Sequence, residues 1–170
     1  FTRLGYAENR AVTEATGAGQ LQYVKTDVLE GAGGAYRIGA EHGADAGLVD
    51  HVDLFMDVMR MDHDLDVRDR LLVDDYAISP ADAFIGKLQI GRINEKDVHD
   101  VISLVEDVYV DFQPHPGVLD LHHVAEVCAG DWGLYIDVMN NIDTVVDHVA
   151  DYDLVPRDAA RVRRTLELAQ

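Results

Sequence analysis

Cysteine is almost absent from this chain of 170 residues, and the single thiol, Cys128, excludes an intramolecular disulfide. A zinc site built from several cysteines is excluded for the same reason. Cys128 falls in an apolar helical stretch with Val124 and Val127, which favours a core position over a catalytic nucleophile. No apolar run approaches the roughly 18 residues of a membrane-spanning helix. We therefore expect a cytoplasmic protein without a membrane partner.

Lysine is scarce too, with 3 Lys against 11 Arg, and acidic residues outnumber basic ones by 32 to 14. The resulting formal charge of −18 excludes a globally basic clamp for nucleic acid. The acids are mostly aspartate, with 24 Asp and 8 Glu. This Asp-rich, Lys-poor composition is typical of proteins in molar salt, where a Debye length of about 3 Å screens self-repulsion. We predict a halophilic protein; the alternative is an ordinary acidic protein.

Apolar residues are abundant enough for a core, since 48% of the chain is hydrophobic. Strand patterns come first, at residues 21–24 and 50–58, and the second shows apolar side chains alternating with polar ones. We expect the 50–58 strand to pair with residues 20–25. Helix patterns follow near residues 80–90, 95–108, 119–128, 132–149 and 156–169, and Ser79 and Pro80 mark the start of the first. We predict an α+β fold with a small mixed β-sheet followed by a helical C-terminal part. The predicted domains are residues 1–112 and a helical extension, 113–170, packed on them.

Two aspartates, Asp53 and Asp57, belong to the polar face of the predicted strand 50–58, whose other face carries Val52, Leu54, Met56 and Val58. Convergent carboxylates are what a magnesium-dependent phosphoryl-transfer site needs, because this hard cation takes oxygen ligands. Asp53 and Asp57 are therefore candidate metal ligands. The alternative is a solvated strand face in an Asp-rich protein.

Two of the three lysines, Lys87 and Lys96, fall in one short stretch that also contains Asp97 and Asp100. In a chain with so few lysines, this pair suggests binding of phosphate groups. Asp97 also has a structural interpretation, because an acid in the first turn after Asn94 stabilises a helix start by roughly 0.3–1 kcal/mol. Asp100 follows three residues later, on the same face of the predicted helix.

Two histidine-containing runs, Asp62-His63-Asp64 and His122-His123, suggest metal ligands less strongly. Adjacent residues on one element point in different directions, so neither run has good geometry for a single ion.

Several segments together resemble a group of prokaryotic nucleotidyltransferase-fold proteins. They are Val52-Asp-Leu-Phe-Met-Asp57, His63-Asp-Leu-Asp-Val-Arg-Asp-Arg-Leu71, residues 80–90 and Ile93-Asn-Glu-Lys-Asp-Val-His-Asp100. The wider relatives of that group are the polymerase-β-like nucleotidyltransferases, including abortive-infection toxins that modify RNA. By the resemblance, Asp53 matches the third carboxylate of these enzymes, and Lys87 matches their downstream lysine. Lys96 with Asp97 matches their Lys/Arg-Asp pair, and Asp100 the acid that follows it.

The resemblance implies an enzyme that transfers a nucleotidyl group from a nucleoside triphosphate with Mg²⁺. Asp53, Lys87 and Asp97 would then be catalytic, and Lys96 and Asp100 would bind the nucleotide. Asp53 is then expected near enough to Lys87 or Asp97 to share a pocket. No Gly-Ser or Gly-Gly start followed by an Asp-x-Asp motif precedes residue 53, so we expect this segment of the family upstream of Phe1 and only part of the site in this chain. The alternative is a non-catalytic domain of the same fold that acts as a binding or regulatory partner. The acceptor, RNA among the candidates, and the oligomeric state stay open.

Overall fold

A computed structural model describes residues 6–15, 20–25, 51–55, 58–70, 72–74 and 77–170. The chain forms two compact units, residues 1–60 and 61–170. Among the described residues, strands predominate in the first unit and helices predominate in the second. The predicted α+β class and the helical C-terminal part are therefore confirmed.

The first unit contains a three-stranded antiparallel sheet of order β1–β2–β3. Its strands are β1 (Tyr6–Glu8), β2 (Gln20–Lys25) and β3 (His51–Phe55), with the short helix α1 (Arg10–Ala15) after β1 and β4 (Val58–Arg60) after β3. Leu21 pairs with Leu54 and Gln22 with Asp53, which confirms the predicted pairing of these two strands. The helix α1 was not predicted, because six residues are too few for an apolar period to show.

The apolar face predicted for strand 50–58 is only partly described. Leu54 and Val58 are half-buried, where the alternation predicts full burial. The side chain of Val52 and the whole of Met56 lie outside the described residues, as does the glycine-rich stretch of residues 26–50.

The second unit is mainly helical. Its elements are β5 (Asp64–Asp66), a 3₁₀ turn (Arg68–Arg70), α2 (Pro80–Leu88), α3 (Glu95–Asp107), β6 (Tyr109–Asp111), β7 (Val118–Asp120), α4 (Leu121–Gly130), α5 (Trp132–His148), a 3₁₀ turn (Val149–Asp151) and α6 (Pro156–Leu168). The core lies where these helices meet, around fully buried side chains such as Phe84, Leu88, Val101, Ile142 and Leu166. Among the described helices, none is both long and apolar enough to cross a membrane.

Side-chain caps set the starts of the helices that carry the candidate site. Ser79 caps α2 by accepting a hydrogen bond from the backbone N–H of Asp82 at 3.2 Å, and Pro80 occupies the first turn. Asn94 caps α3 in the same way through the N–H of Asp97 at 2.9 Å. Both predicted helix starts are confirmed.

The strands β6 and β7 were not predicted. They pair in parallel although only residues 112–117 connect them, whereas parallel neighbours usually need a connection of a dozen or more residues. Gly117, with φ +72°, adopts the left-handed conformation that glycine tolerates, and it directly precedes β7. Three-residue strands are too short for alternation to reveal them in the sequence.

The predicted domain boundary after residue 112 stays a prediction. Within the second unit, α3 packs against α6 and α2 packs against α4, so helices on both sides of that position contact one another.

Candidate functional site

Four of the residues that the sequence singled out form one group, the Lys87 cluster, which consists of Lys87, Lys96, Asp97 and Asp100. The ammonium Nζ of Lys87 donates to Asp97 Oδ1 at 2.9 Å and to Asp100 Oδ2 at 2.7 Å. Lys96 Nζ donates to the same Asp100 Oδ2 at 3.2 Å. Residues from the two motifs that the sequence singled out thus lie together in the structure, and their chemical roles stay predictions.

The packing of two helices produces this arrangement. Lys87 lies in the last turn of α2, and Asp97 and Asp100 lie three residues apart at the start of α3. An apolar seam holds the helices together; it includes Phe84 and Leu88 of α2, and Val98, Val101, Ile102 and Val105 of α3. The lysine and the two aspartates meet beside that seam.

Electrostatics favour the ionised forms of Lys87 and Asp100. Partial burial would by itself lower the pKa of Lys87, but the hydrogen bonds to Asp100 and Asp97 outweigh burial and raise that pKa. The hydrogen bond from Lys87 lowers the pKa of Asp100, with a further contribution from Lys96. Two lysines and two aspartates have a formal charge of zero, so the cluster is neutral as a whole.

Asp97 also has the structural role that its position predicted. Its backbone N–H donates to Asn94 Oδ1 at 2.9 Å, and its Oδ2 accepts from Asn94 Nδ2 at 2.6 Å. This reciprocal pair closes the first turn of α3. The same carboxylate therefore caps a helix with one oxygen and binds Lys87 with the other.

The cluster suits contact with phosphate better than it suits binding of Mg²⁺. The Lys87 ammonium already lies between the two carboxylates, where a divalent cation would need to lie. Lys96, with 77% of its side chain exposed, can reach an anion in solvent while it keeps its contact with Asp100. In this arrangement the cluster does not fit a magnesium site.

The predicted metal ligands, Asp53 and Asp57, are not described far enough to test. The backbone of Asp53 lies in β3 opposite Gln22, but its side chain and all of Asp57 are outside the described residues. Their metal role, and the pocket predicted to join Asp53 to Lys87 or Asp97, stay predictions. In the part of the chain that the structure describes, no group of three or more His, Cys, Asp or Glu residues could hold a metal.

A second polar group, the Asp82 network, was missed by the sequence analysis. The buried carboxylate of Asp82 accepts from Ser79 Oγ at 2.5 Å and from Arg70 Nε at 3.2 Å, and it lies 2.9 Å from His123 Nε2. Burial would raise the pKa of Asp82, but hydrogen bonds from His123 and Ser79, together with the charge of Arg70, lower it. The sequence around Ser79 indicated that Asp82 lies in the first turn of a helix. It gave no sign that Arg70 and His123 contact the Asp82 carboxylate.

His63 forms a third polar contact. Its Nε2 lies 2.8 Å from Asp137 Oδ2, and its Nδ1 lies 3.6 Å from Asp131 Oδ2. The backbone of α5 approaches this ring so closely that a Cβ added at Gly133 would lie 3.2 Å from His63 Cε1. His63 thus contacts carboxylates of a helix distant in sequence, just as His123 contacts Asp82.

Comparison with protein-family models, curated proteins and solved structures finds no match for this chain.

Proposed function

We propose that this chain belongs to a nucleotidyltransferase-like protein of the cytoplasm, whose full-length form transfers a nucleotidyl group from a nucleoside triphosphate with Mg²⁺. The observation that supports the proposal is the Lys87 cluster. The resemblance singled out residues of two motifs that lie in different helices. Lys87 belongs to α2, and Lys96, Asp97 and Asp100 belong to α3. Their side chains nevertheless lie within hydrogen-bonding distance of one another.

In the proposed enzyme, Lys87 and Lys96 supply positive charge for the phosphates of the nucleotide. Asp97 and Asp100 keep Lys87 protonated and fix its direction, because both carboxylates accept hydrogen bonds from its ammonium. Asp53, with Asp57 as a candidate second ligand, would hold the metal. The bound metal would supply charge neutralisation for the triphosphate.

A second candidate function is that of a non-catalytic domain which binds or regulates a partner. The observation that favours it is also in the Lys87 cluster, whose lysine is engaged by two carboxylates and whose formal charge is zero. In that case the same hydrogen bonds fix α2 against α3 and have no chemical role.

The deciding experiment measures Mg²⁺-dependent transfer from labelled nucleoside triphosphates to RNA, protein and nucleotide acceptors by the full-length protein. We expect Asp53→Asn to abolish transfer without changing the circular dichroism spectrum. Asp57→Asn tests the second candidate ligand, because the motif match marks Asp53 alone and transfer that survives this variant would remove Asp57 from the site. Loss of transfer in both variants would add Asp57 as a ligand. Asp153→Asn is the matched control, because Asp153 is exposed and lies outside the motifs of the resemblance.

Lys87→Met separates the two candidate functions. An enzyme should lose transfer in this variant even under conditions where the protein remains folded, and Lys87→Arg should restore part of it by returning the charge. Absence of transfer with every nucleotide and acceptor would favour the non-catalytic domain, whereas transfer that survives Asp53→Asn would contradict the metal-binding role of Asp53.

A further inference from the structure

An uncharged groove lies on the second unit, between α4, α5 and the end of α6. Its volume is about 560 Å³, and its walls include Phe112, Cys128, Trp132, Met139 and Leu168. None of its thirteen lining residues is Asp, Glu, Lys or Arg, although charged residues make up 27% of the chain. The groove is therefore an apolar surface on a strongly acidic protein.

Large side chains of this groove are in contact with solvent. Trp132 is 75% exposed, Phe112 is 59% exposed and Leu168 is 52% exposed. Trp132 stacks on Tyr135 with ring centroids 5.3 Å apart, so its ring has a defined position. Aromatic and leucine side chains exposed together beside a groove are typical of a surface that a partner covers.

The edge of the groove along α4 and α5 is acidic. His122, which lines the groove, lies 3.5 Å from Glu126, and Gln170, which also lines it, donates to Asp143 at 2.6 Å. Residues 97–156 contain no lysine or arginine, so α4 and α5 carry no permanently charged cation beside these carboxylates. On the opposite side, α6 carries Arg164 one turn before Leu168.

We infer that this groove binds an amphipathic helix of a partner protein, with the apolar face of that helix in the groove. The partner's lysine and arginine side chains lie along α4 and α5, opposite Glu126 and Asp143. Helix-in-groove recognition uses apolar residues at spacings of three and four, and a groove between helices fits that pattern. A second copy of this chain is a poorer occupant, because it would place its own acidic edge against this one.

The dependence of binding on salt distinguishes electrostatic attraction from burial of apolar surface in this recognition. Attraction between the acidic edge and a basic partner falls as salt rises, because the Debye length shrinks from about 10 Å at 0.1 M to about 3 Å at 1 M. Burial of apolar surface does not weaken in this way. The preference for a basic over an acidic partner should therefore disappear in molar salt. Substitution of an apolar residue of the groove should still weaken binding there.

The experiment uses synthetic helical peptides as probes. One peptide of about 18 residues, roughly five turns, carries leucines at helical spacing and lysines along one edge. A second peptide replaces the lysines by glutamates, and a third has the composition of the first in scrambled order. Trp132 is the only tryptophan, so a blue shift of its fluorescence reports burial of the groove directly.

We expect the basic peptide to bind with a blue shift and the acidic and scrambled peptides to bind at least tenfold more weakly at low salt. Leu168→Glu should weaken binding of the basic peptide by a factor of about ten or more. Leu72→Glu is the matched control, because Leu72 is 96% exposed and does not line the groove.

Three results would overturn the inference. The first is no blue shift with the basic peptide, and the second is equal binding to the Leu168→Glu and Leu72→Glu variants. The third is self-association in sedimentation that Leu168→Glu removes, which would assign the groove to a second copy of the chain.

Discussion

The buried carboxylate of Asp82 offers the sharpest test of the folded structure. Asp82→Asn keeps the size of the side chain but removes the negative charge that Arg70 and His123 face. Breaking a fully buried ion pair costs about 3–5 kcal/mol. The Arg70 side chain is 17% exposed and that of His123 is 16% exposed, so water recovers part of this loss. We expect a destabilisation of about 2–3 kcal/mol.

The effect should depend on pH in a defined direction. The folded pKa of Asp82 lies below its ordinary value of 3.8, so the ionised carboxylate stabilises the folded state at neutral pH. That contribution is present above the ordinary value and is lost as the pH falls through the lowered pKa. The difference between the wild-type protein and Asp82→Asn should therefore be constant near neutrality and shrink below about pH 4.

Calorimetric and urea unfolding at several pH values measure this difference, which corresponds to a fall in melting temperature of roughly 4–12 °C. Asp66→Asn is the matched control, because Asp66 also binds an arginine, Arg68, but both side chains are at least half exposed. Although Arg68 lowers the pKa of Asp66 to about 2, the contact is open to solvent, and we expect its loss to change stability much less. Equal destabilisation by the two substitutions would refute the reasoning.

Three other measurements test the remaining structure. If the acidic surface is halophilic, the melting temperature should rise steeply from low to molar potassium chloride, and a flat or falling curve would contradict this. Asn141→Ala should destabilise the protein by about 2–4 kcal/mol in urea unfolding. The reason is that the buried Asn141 amide binds the backbone of Ile93, Leu88 and Ile90, whereas Asn140→Ala, at an exposed position, should have little effect. Calorimetry should show weak or no Mg²⁺ binding by residues 1–170, because the one carboxylate that the motif marks, Asp53, is too few ligands for this hard cation; micromolar binding would contradict this.

The sequence predicted best what is local in the chain. The helix starts at Ser79 and Asn94 were found because a cap needs only a few neighbouring residues. The pairing of β2 with β3 was predicted because apolar and polar side chains alternate along β3, which identifies it as a strand. The three-residue strands β6 and β7 and the six-residue helix α1 were missed, since their length is below one recognisable period.

Residues of the candidate site could be singled out only where amino-acid composition or the family resemblance added to the local sequence pattern. Lys87 stood out because lysine is rare here, and the family resemblance singled out Asp97 and Asp100 as well, but neither signal predicted that the three side chains contact one another. The Asp82 network had no such signal, because 41 positions separate Asp82 from His123 and only folding brings them together. His63 and Asp137 are separated by 74 positions, so their contact was equally out of reach.

If the protein works in molar salt, its recognition of a nucleotide must rely on short-range contacts. Over a Debye length of about 3 Å, the negative surface neither repels a nucleotide from a distance nor allows a basic patch to attract one. The contacts of the Lys87 cluster, at 2.7–3.2 Å, are short enough to persist under that screening. Recognition of a phosphate must then rest on direct hydrogen bonds from side chains held in position beforehand, which is how Asp97 and Asp100 hold Lys87. Substitutions that loosen this hold, such as Asp100→Asn, should therefore reduce nucleotide affinity as much in molar salt as in dilute buffer.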